Sequence, residues 1–331
     1  MSDDLLGTYD ALLLDLDGTV YRGGEAAPGA VPTIRTSRER GVGVRFVTNN
    51  ASRSPQQVAA HLSELGFAAE VPEVSTSSQA AAAVLAEHLP AGATVLVVGA
   101  QALVDEVTAV GLRTVREFSG PVDAVVQGHS PDTGWRDLAE ACLAIRAGAL
   151  WVASNVDATL PTERGELPGN GSMVTALRAA TGQEPIVAGK PARPLMDQAV
   201  RSADARRPLV VGDRLDTDIA GASTAGLDAL LVLTGVCTPA QLLAASPQER
   251  PRYLAADLRG LLRPVTEVEI GEQLGWHVEA DGTRLIAKGS GDPVALLRAL
   301  CSAWWAAGGG CPQVLAEGPG AAAALELLKI G

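Results

Sequence analysis

The chain has 331 residues, of which 47% are hydrophobic and 3% aromatic, so it can form more than one domain with cores built mainly from Ala, Val and Leu. Acidic residues outnumber basic ones by 38 to 26, and the net charge of -12 argues against binding to nucleic acid or to an anionic membrane. No apolar run approaches the length of a membrane-spanning helix, and the first residues carry no basic region typical of a signal peptide. A cytoplasmic protein is therefore expected.

Short apolar segments alternate with helix-like segments through most of the chain. Strands are predicted at residues 11–14, 42–47, 94–98, 122–127, 150–153, 209–211 and 229–233, and helices at 28–40, 54–66, 101–110 and 135–147. Ser54 followed by Pro55 is a typical helix start, because Ser caps the first turn and Pro fits within it. Continuous apolar strands separated by helices indicate a parallel sheet covered on both faces. The predicted fold class is α/β, with a Rossmann-like core.

The pattern changes after Pro264. Strands are predicted at residues 265–279, 283–288 and 313–316, and the first two are joined by a turn at Asp281-Gly282. Helices are predicted at residues 293–306 and 320–328. This C-terminal region is therefore predicted to be a small α+β module.

Polar residues follow three of the predicted strands. Asp15, Thr48 and Asp213 each stand at the carboxyl end of an apolar run. Parallel sheets bind their ligands beyond the carboxyl ends of the strands. Residues far apart in sequence are therefore expected to meet in one crevice.

The first of these ends reads DLDGTV over residues 15–20. Where a strand ends and the backbone turns, Asp15 and Asp17 could face one centre in different roles. One carboxylate could attack phosphorus while the other protonates the leaving oxygen. Gly18 would let the chain turn tightly and approach a phosphate. The alternative is a solvated turn, in which an Asp-Gly pair is common.

Two further segments carry groups that suit phosphate. Thr48 and Asn49 can donate hydrogen bonds to phosphate oxygens, although Asn is also common in plain turns. Lys190, in the segment GKP, could neutralise a nucleophilic carboxylate and the phosphoryl group. An exposed loop lysine is the alternative, but lysine occurs elsewhere only at Lys288 and Lys329, and this rarity favours a function.

Three acidic residues follow the strand at 209–211, within the segment GDRLDTD at 212–218. Asp213, Asp216 and Asp218 would repel one another unless a cation lay among them. Carboxylate oxygens are ligands that suit Mg²⁺, which keeps some waters and meets the substrate phosphate. Asp213 precedes the predicted helix and is the better ligand. The other two could instead stabilise the positive end of the helix dipole.

Together DLDGT, TNN, GKP and GDRLDTD resemble, in order and spacing, the haloacid dehalogenase superfamily of phosphatases over about residues 8–260. The resemblance implies that Asp15 is the nucleophile and Asp17 the general acid and base. An Asp at position 17 favours phosphate esters over dehalogenase or phosphonatase chemistry. The other implied residues are Gly18, Thr48, Asn49 and Lys190 for phosphate, and Asp15, the Asp17 carbonyl and Asp213 for magnesium, with Asp218 supporting the metal ligands from behind.

The long stretch between the second and third motifs resembles the C2 cap of the nitrophenylphosphatase-like, or NagD-like, branch of this superfamily. The run SNVD at 154–157, followed by PGNGS at 168–172, is similar to that branch's signature near the site. Asn155 and Asp157 are therefore predicted to contact substrate from the cap. The predicted domains are a core formed by residues 1–76 and 186–262, a cap at 77–185 and a C-terminal module at 263–331.

Finer matches at residues 159–165, 167–173 and 211–218 resemble actinobacterial phosphatases that act on glycerol 3-phosphate and carry an extra acetyltransferase-like (GNAT-like) module. They imply Mg²⁺-dependent hydrolysis of glycerol 3-phosphate through an aspartyl-phosphate. The alternatives are 2-phosphoglycolate or a broad range of small esters as substrate, phosphotransfer to an alcohol, and a non-catalytic binding protein on the same scaffold. The tail has no Gly-rich loop for acetyl-CoA, so a structural or regulatory role is predicted. Pairing as a homodimer is left open.

Overall fold

The computed structural model describes residues 4–162 and 164–330. Glu163, part of the match at 159–165, and residues 1–3, part of the expectation about a signal peptide, lie outside the described residues. The chain divides into two compact units, one formed by residues 1–44 and 205–331 and the other by residues 45–204. Among the described helices, none combines the length and the apolar character needed to cross a membrane.

The described elements follow one another as short strands and helices. In chain order the strands are β1 Ala11–Leu14, β2 Tyr21–Arg22, β3 Glu25–Ala26, β4 Gly43–Thr48, β5 Val74–Thr76, β6 Thr94–Val98, β7 Arg113–Val115, β8 Ala124–Gln127, β9 Leu150–Ala153, β10 Thr159–Thr162, β11 Gly165–Pro168, β12 Ile186–Val187, β13 Pro208–Gly212, β14 Asp228–Val232, β15 Tyr253–Ala255, β16 Trp276–Asp281, β17 Arg284–Gly289 and β18 Gln313–Glu317. The helices are α1 Ala30–Glu39, α2 Pro55–Glu64, α3 Ser77–His88, α4 Gln101–Ala109, α5 Trp135–Arg146, α6 Asn170–Thr181, α7 Arg193–Ala203, α8 Ala220–Ala225, α9 Pro239–Leu243, α10 Val265–Val268, α11 Pro293–Ala306 and α12 Pro319–Leu328. A π-helical turn covers Leu215–Ile219.

In the first unit, β15, β14, β13 and β1 lie side by side in this order, and each neighbouring pair is parallel. Every residue of β1 and of β13 is buried, as expected for strands covered on both faces. Leu14 pairs with Val211, so these two strands end at the same edge of the sheet. The residues that follow them are thereby brought together.

The second unit has its own sheet of five parallel strands, in the order β12, β9, β8, β6 and β7. Its core includes Leu96, Val125 and Trp151 from the strands and Val174 from α6. A parallel pair of β4 with β5 and an antiparallel hairpin of β10 with β11 belong to the same unit. The predicted α/β class with parallel sheets is confirmed. The domain boundaries stay predictions, since the compact units divide the chain at other points.

The C-terminal module belongs to the first unit and combines three strands with α11 and α12. β16 pairs antiparallel with β17 through the predicted turn, and β18 pairs parallel with β17. The prediction of a strand over residues 265–275 is wrong. Val265 and Val268 lie three residues apart, the spacing of a helix, and they form α10. Gly275 then takes a φ of +82°, so the extended strand begins only at Trp276.

Candidate active site

The ends of β1 and β13 carry the two aspartates that the sequence singled out. The Asp15 backbone N–H donates to the carbonyl of Val211 at 2.9 Å, which extends the pairing by one residue. Asp213 follows β13 and is completely buried. The register of two parallel strands therefore places both carboxylates at one edge of the first unit's sheet.

A third carboxylate joins them. Oxygen atoms of Asp15, Asp213 and Asp218 all lie within 4.8 Å of one another, and Asp213 and Asp218 are both buried. Carboxylates held so close inside a protein repel one another unless a cation offsets their charge. Because all three donors are hard oxygens, the set fits Mg²⁺. The cluster includes Asp15 and Asp213, two of the predicted metal ligands, with Asp218 beside them, and their binding of a metal stays a prediction.

The loop that bears Asp213 is held from two sides. Thr19 Oγ1 donates to Asp213 Oδ1 at 3.4 Å, and the Val236 backbone N–H donates to Asp213 Oδ2 at 2.6 Å. Gly18 has a φ of +89°, and a Cβ there would lie 2.5 Å from Asp213 Oδ2. Gly18 therefore allows the first motif to approach the Asp213 carboxylate closely.

Asp17 lies differently from Asp15. Leu16 between them is buried, whereas Asp15 is half-buried and Asp17 is exposed. The Tyr21 hydroxyl donates to Asp17 Oδ2 at 3.4 Å. The two carboxyl groups therefore lie in different environments, which allows them to take separate roles.

The acids of the fourth motif separate in the same way. Asp218 Oδ2 accepts a hydrogen bond from the Arg214 backbone N–H at 3.1 Å, at the start of the π-helical turn. Asp216 instead pairs with the Arg214 guanidinium at 2.8 Å, and its side chain is 62% exposed. The structure therefore places Asp218 with Asp213 and directs Asp216 to solvent.

Lys190 is a buried cation of the second unit. It is only 2% exposed, and its Nζ donates to the carbonyl of Val47 at 3.1 Å. Val47 lies in β4, just before Thr48, which is itself 5% exposed. The predicted phosphate-binding residues Thr48 and Lys190 are thus attached to the same strand end, and Lys190 is not the exposed loop lysine of the alternative interpretation.

Asn49 holds the lysine loop through its side-chain amide. Asn49 Oδ1 accepts from the Lys190 backbone N–H at 2.8 Å, while Asn49 Nδ2 donates to the Lys190 carbonyl at 3.0 Å. This reciprocal pair imitates the pairing between strands. A Cβ at Gly189 would lie 2.6 Å from Asn49 Oδ1 and 2.5 Å from the Ser154 carbonyl, so only glycine fits there. The structure gives the Asn49 amide a positioning role in addition to the predicted binding of phosphate.

The two residues predicted to contact substrate from the cap also contact Asn49. Asn155 Nδ2 donates to the Asn49 carbonyl at 2.7 Å, and Asn49 Nδ2 lies 3.0 Å from Asp157 Oδ1. Asn155 is 4% exposed, which leaves little of it for a ligand. Ser77 Oγ donates to the same Asn49 carbonyl at 2.5 Å. The substrate contact stays a prediction, and the contact that the structure shows is with Asn49.

Sequence reasoning missed two parts of this arrangement. The segment after β14, which donates to Asp213 through Val236, follows a strand end like the four motifs, and that position was the available signal. Ser77 begins α3 directly after the capping residue Thr76, which marks a helix start but does not indicate a contact with Asn49.

Replacing Asn49 by Ala is expected to lower the free energy of unfolding by about 1–3 kcal/mol, because partly buried backbone groups lose their partners. Urea denaturation measures this. Asn50→Ala is the matched control, since the Asn50 amide oxygen accepts from the N–H and hydroxyl of nearby Ser52, both at 2.8 Å. Equal losses in the two variants would contradict the positioning role of Asn49.

Models of known protein families match three regions of the chain. Residues 12–113 match the model of haloacid dehalogenase-like hydrolases, residues 187–261 match a second model of HAD hydrolase-like proteins, and residues 273–329 match a GCN5-related N-acetyltransferase-like domain. The chain belongs to the haloacid dehalogenase-like hydrolases. The family membership and the acetyltransferase-like tail, both predicted from sequence, are confirmed.

Individual relatives and solved structures show more specific similarities than the family models do. The chain is 54% identical over 308 residues to the D-glycerol 3-phosphate phosphatase of Mycobacterium tuberculosis, covering 90% of this chain and 86% of that one. A crystal structure of glycerol phosphate phosphatase from M. tuberculosis in complex with magnesium has a TM-score of 0.93 and 52% identity, covering 99% of each chain. A 5′-nucleotidase of Bacillus subtilis is 42% identical over 232 residues, covering 69% of this chain and 89% of that one.

Proposed function

We propose that the chain is a Mg²⁺-dependent phosphatase that hydrolyses glycerol 3-phosphate to glycerol and phosphate. The observation that carries the chemistry is the cluster of Asp15, Asp213 and Asp218, whose oxygens lie within 4.8 Å of one another at the end of a parallel sheet. The similarity to the D-glycerol 3-phosphate phosphatase of M. tuberculosis supports the choice of substrate.

The metal is assigned to Asp15, the backbone carbonyl of Asp17 and Asp213, with Asp218 supporting Asp213. When bound, Mg²⁺ supplies positive charge that offsets the anionic ester and the nucleophilic carboxylate. The buried Lys190 adds a second positive charge for the phosphoryl group, and Thr48 adds a hydroxyl donor. Asn49 holds the Lys190 backbone, so it fixes where that charge lies.

The reaction then proceeds in two steps. An Asp15 oxygen attacks phosphorus in line, the bond from phosphorus to the glycerol oxygen breaks, and the Asp17 carboxyl group gives its proton to that oxygen. Asp17, now a carboxylate, takes a proton from water as the water oxygen attacks phosphorus. The bond from phosphorus to Asp15 breaks, phosphate leaves, and both aspartates regain their starting states.

A panel of phosphate esters tests the proposal. We expect phosphate release from glycerol 3-phosphate in Mg²⁺ to exceed release from 2-phosphoglycolate, a 5′-nucleotide and 4-nitrophenyl phosphate. A chelator should abolish the release, and added Mg²⁺ should restore it. Preference for another ester would keep the mechanism and replace the substrate. Transfer of the phosphoryl group to an added alcohol is not expected, and its detection would indicate a phosphotransferase.

The absence of release from any ester would instead favour a non-catalytic binding protein on this scaffold. We place the enzyme in the cytoplasm, where its proposed substrate, a small anionic metabolite, is expected. The net charge of -12 argues against a nucleic-acid partner. Pairing as a homodimer stays a prediction that sedimentation of the purified protein can test.

A further inference from the structure

Residues Thr234 to Cys237, here called the 234–237 segment, form hydrogen bonds with both the loop after β1 and the loop after β13. Thr234 Oγ1 donates to the Gly18 carbonyl at 2.5 Å, and the Val236 N–H donates to Asp213 Oδ2 at 2.6 Å. The Cys237 N–H donates to the Asp213 backbone carbonyl at 3.1 Å. Gly235 allows this approach, because a Cβ there would collide with the Asp213 carboxylate. The segment therefore sets the position of the metal-binding residue.

The 234–237 segment continues directly into α9. Thr238 caps this helix, with its side chain accepting from the Gln241 N–H. Leu242 and Leu243, in the last turn of α9, are both buried. Because the 234–237 segment is joined directly to the start of α9, a displacement of α9 would also move the segment.

The C-terminal module contacts α9 through α11. Trp305 Nε1 donates to the carbonyl of Leu243 at 3.3 Å. The guanidinium of Arg250 lies 5.3 Å from the centre of the Trp305 ring, and Arg250 Nε donates to the Ala245 carbonyl at 3.2 Å. The indole is thus held between the end of α9 and the loop that follows it.

Two more residues of α11 lie at the contact between the module and the rest of the first unit. Arg298 is 6% exposed, and its Nε donates to the carbonyl of Leu254 in β15 at 2.8 Å. Cys301 is completely buried. Burial raises the pKa of the Cys301 thiol, and nearby Cys237 of the 234–237 segment raises it further. Arg298 therefore anchors the module to β15, the edge strand of the sheet.

We infer that the acetyltransferase-like module sets the affinity of the phosphatase site for Mg²⁺, and that Trp305 is a positioning residue for Asp213. The inference rests on the proposed function only in taking Asp213 as a metal ligand. Residues that orient a ligand from behind typically change metal affinity about 10–100-fold when they are mutated. Trp305 acts through α9 and the 234–237 segment, so a smaller effect is expected.

The test compares two neighbouring tryptophans of α11 in the full chain. Trp305→Phe removes the donor to α9, whereas Trp304→Phe removes a similar donor whose partner is the Gly310 carbonyl at 2.8 Å, inside the module. By calorimetric titration with MgCl₂, we expect Trp305→Phe to weaken Mg²⁺ binding by about three- to tenfold, less than the loss of a direct supporting residue. Trp304→Phe should bind Mg²⁺ like the wild type, and saturating Mg²⁺ should restore kcat in Trp305→Phe.

Thermal unfolding of both variants distinguishes a general loss of stability from a specific loss of Mg²⁺ affinity. Equal Mg²⁺ affinity in wild type and Trp305→Phe, or an equal loss in both tryptophan variants, would overturn the inference. Asp213→Asn is the reference that should lose Mg²⁺ binding. If Asp213→Asn binds Mg²⁺ like the wild type, the metal assignment of the proposed function fails together with the inference. The binding readout does not depend on the identity of the ester.

Discussion

Asp15→Asn is expected to lower kcat for phosphate release by about ten-thousand-fold or more, because loss of a covalent nucleophile removes the reaction path itself. The amide keeps the size of the side chain and removes one of three carboxylates whose oxygens lie within 4.8 Å of one another. Relief of that repulsion should leave the variant at least as resistant to heat as the wild type in the absence of Mg²⁺. Phosphate release and thermal unfolding, measured on the same samples, check both expectations.

Asp10→Asn is the matched control at the opposite end of the same strand. Asp10 precedes β1, is exposed, and accepts from the Arg206 and Arg207 backbone N–H groups at 2.9 Å. Its loss should affect stability and spare catalysis. Near wild-type activity in Asp15→Asn, or an equal loss in both variants, would rule out Asp15 as the nucleophile.

Lys190→Met is expected to reduce kcat/KM by about 10²–10³-fold, since a fixed positive charge at the transferring group contributes most in a site closed to water. Lys190 is 2% exposed, so solvent screens its charge weakly. Methionine is similar in length and apolar, so it keeps most of the packing and removes the charge and the hydrogen bond to the Val47 carbonyl. Steady-state kinetics on glycerol 3-phosphate measure the effect.

Lys288→Met provides the comparison. Lys288 pairs with Glu317 at 2.7 Å, but both side chains are about 60% exposed, at 59% and 60%. An exposed pair of this kind contributes about 0–1 kcal/mol to stability and no charge to the site. An active Lys190→Met enzyme with unchanged kcat/KM would show that Lys190 serves the fold and not the reaction.

Much of the fold could be predicted because its signals are local. The start of α2 shows this, since Ser54 and Gln57 form a reciprocal cap that a short stretch of sequence already contains. The buried strands β1 and β13 were equally readable, because they are uninterrupted apolar runs. The false strand before Trp276 came from the same kind of evidence, where apolar residues at helical spacing were assigned to a strand.

The meeting of Asp15 with Asp213 was predictable, because the ends of neighbouring parallel strands must meet at one edge of the sheet. The spacing of Asp216 and Asp218 alone did not divide them, because the division depends on a π-helical turn that directs one to Arg214 and the other inward. Only the family resemblance singled out Asp218. The use of Asn49 was equally hidden. Its amide suits phosphate and backbone alike, and only the three-dimensional structure shows that the Lys190 backbone takes both of its polar atoms.

The reciprocal hydrogen bonds of Asn49 also make the site sensitive to deamidation of this residue. Loss of ammonia from this side chain would convert its donor into a second acceptor. That oxygen would face the Asp157 carboxylate, now 3.0 Å from Asn49 Nδ2, and the Lys190 carbonyl, now 3.0 Å from the same atom. Both contacts would turn from attraction to repulsion and free the loop that carries the lysine. Hydrolysis of this one side-chain amide, a change far smaller than unfolding, would be enough to inactivate the enzyme.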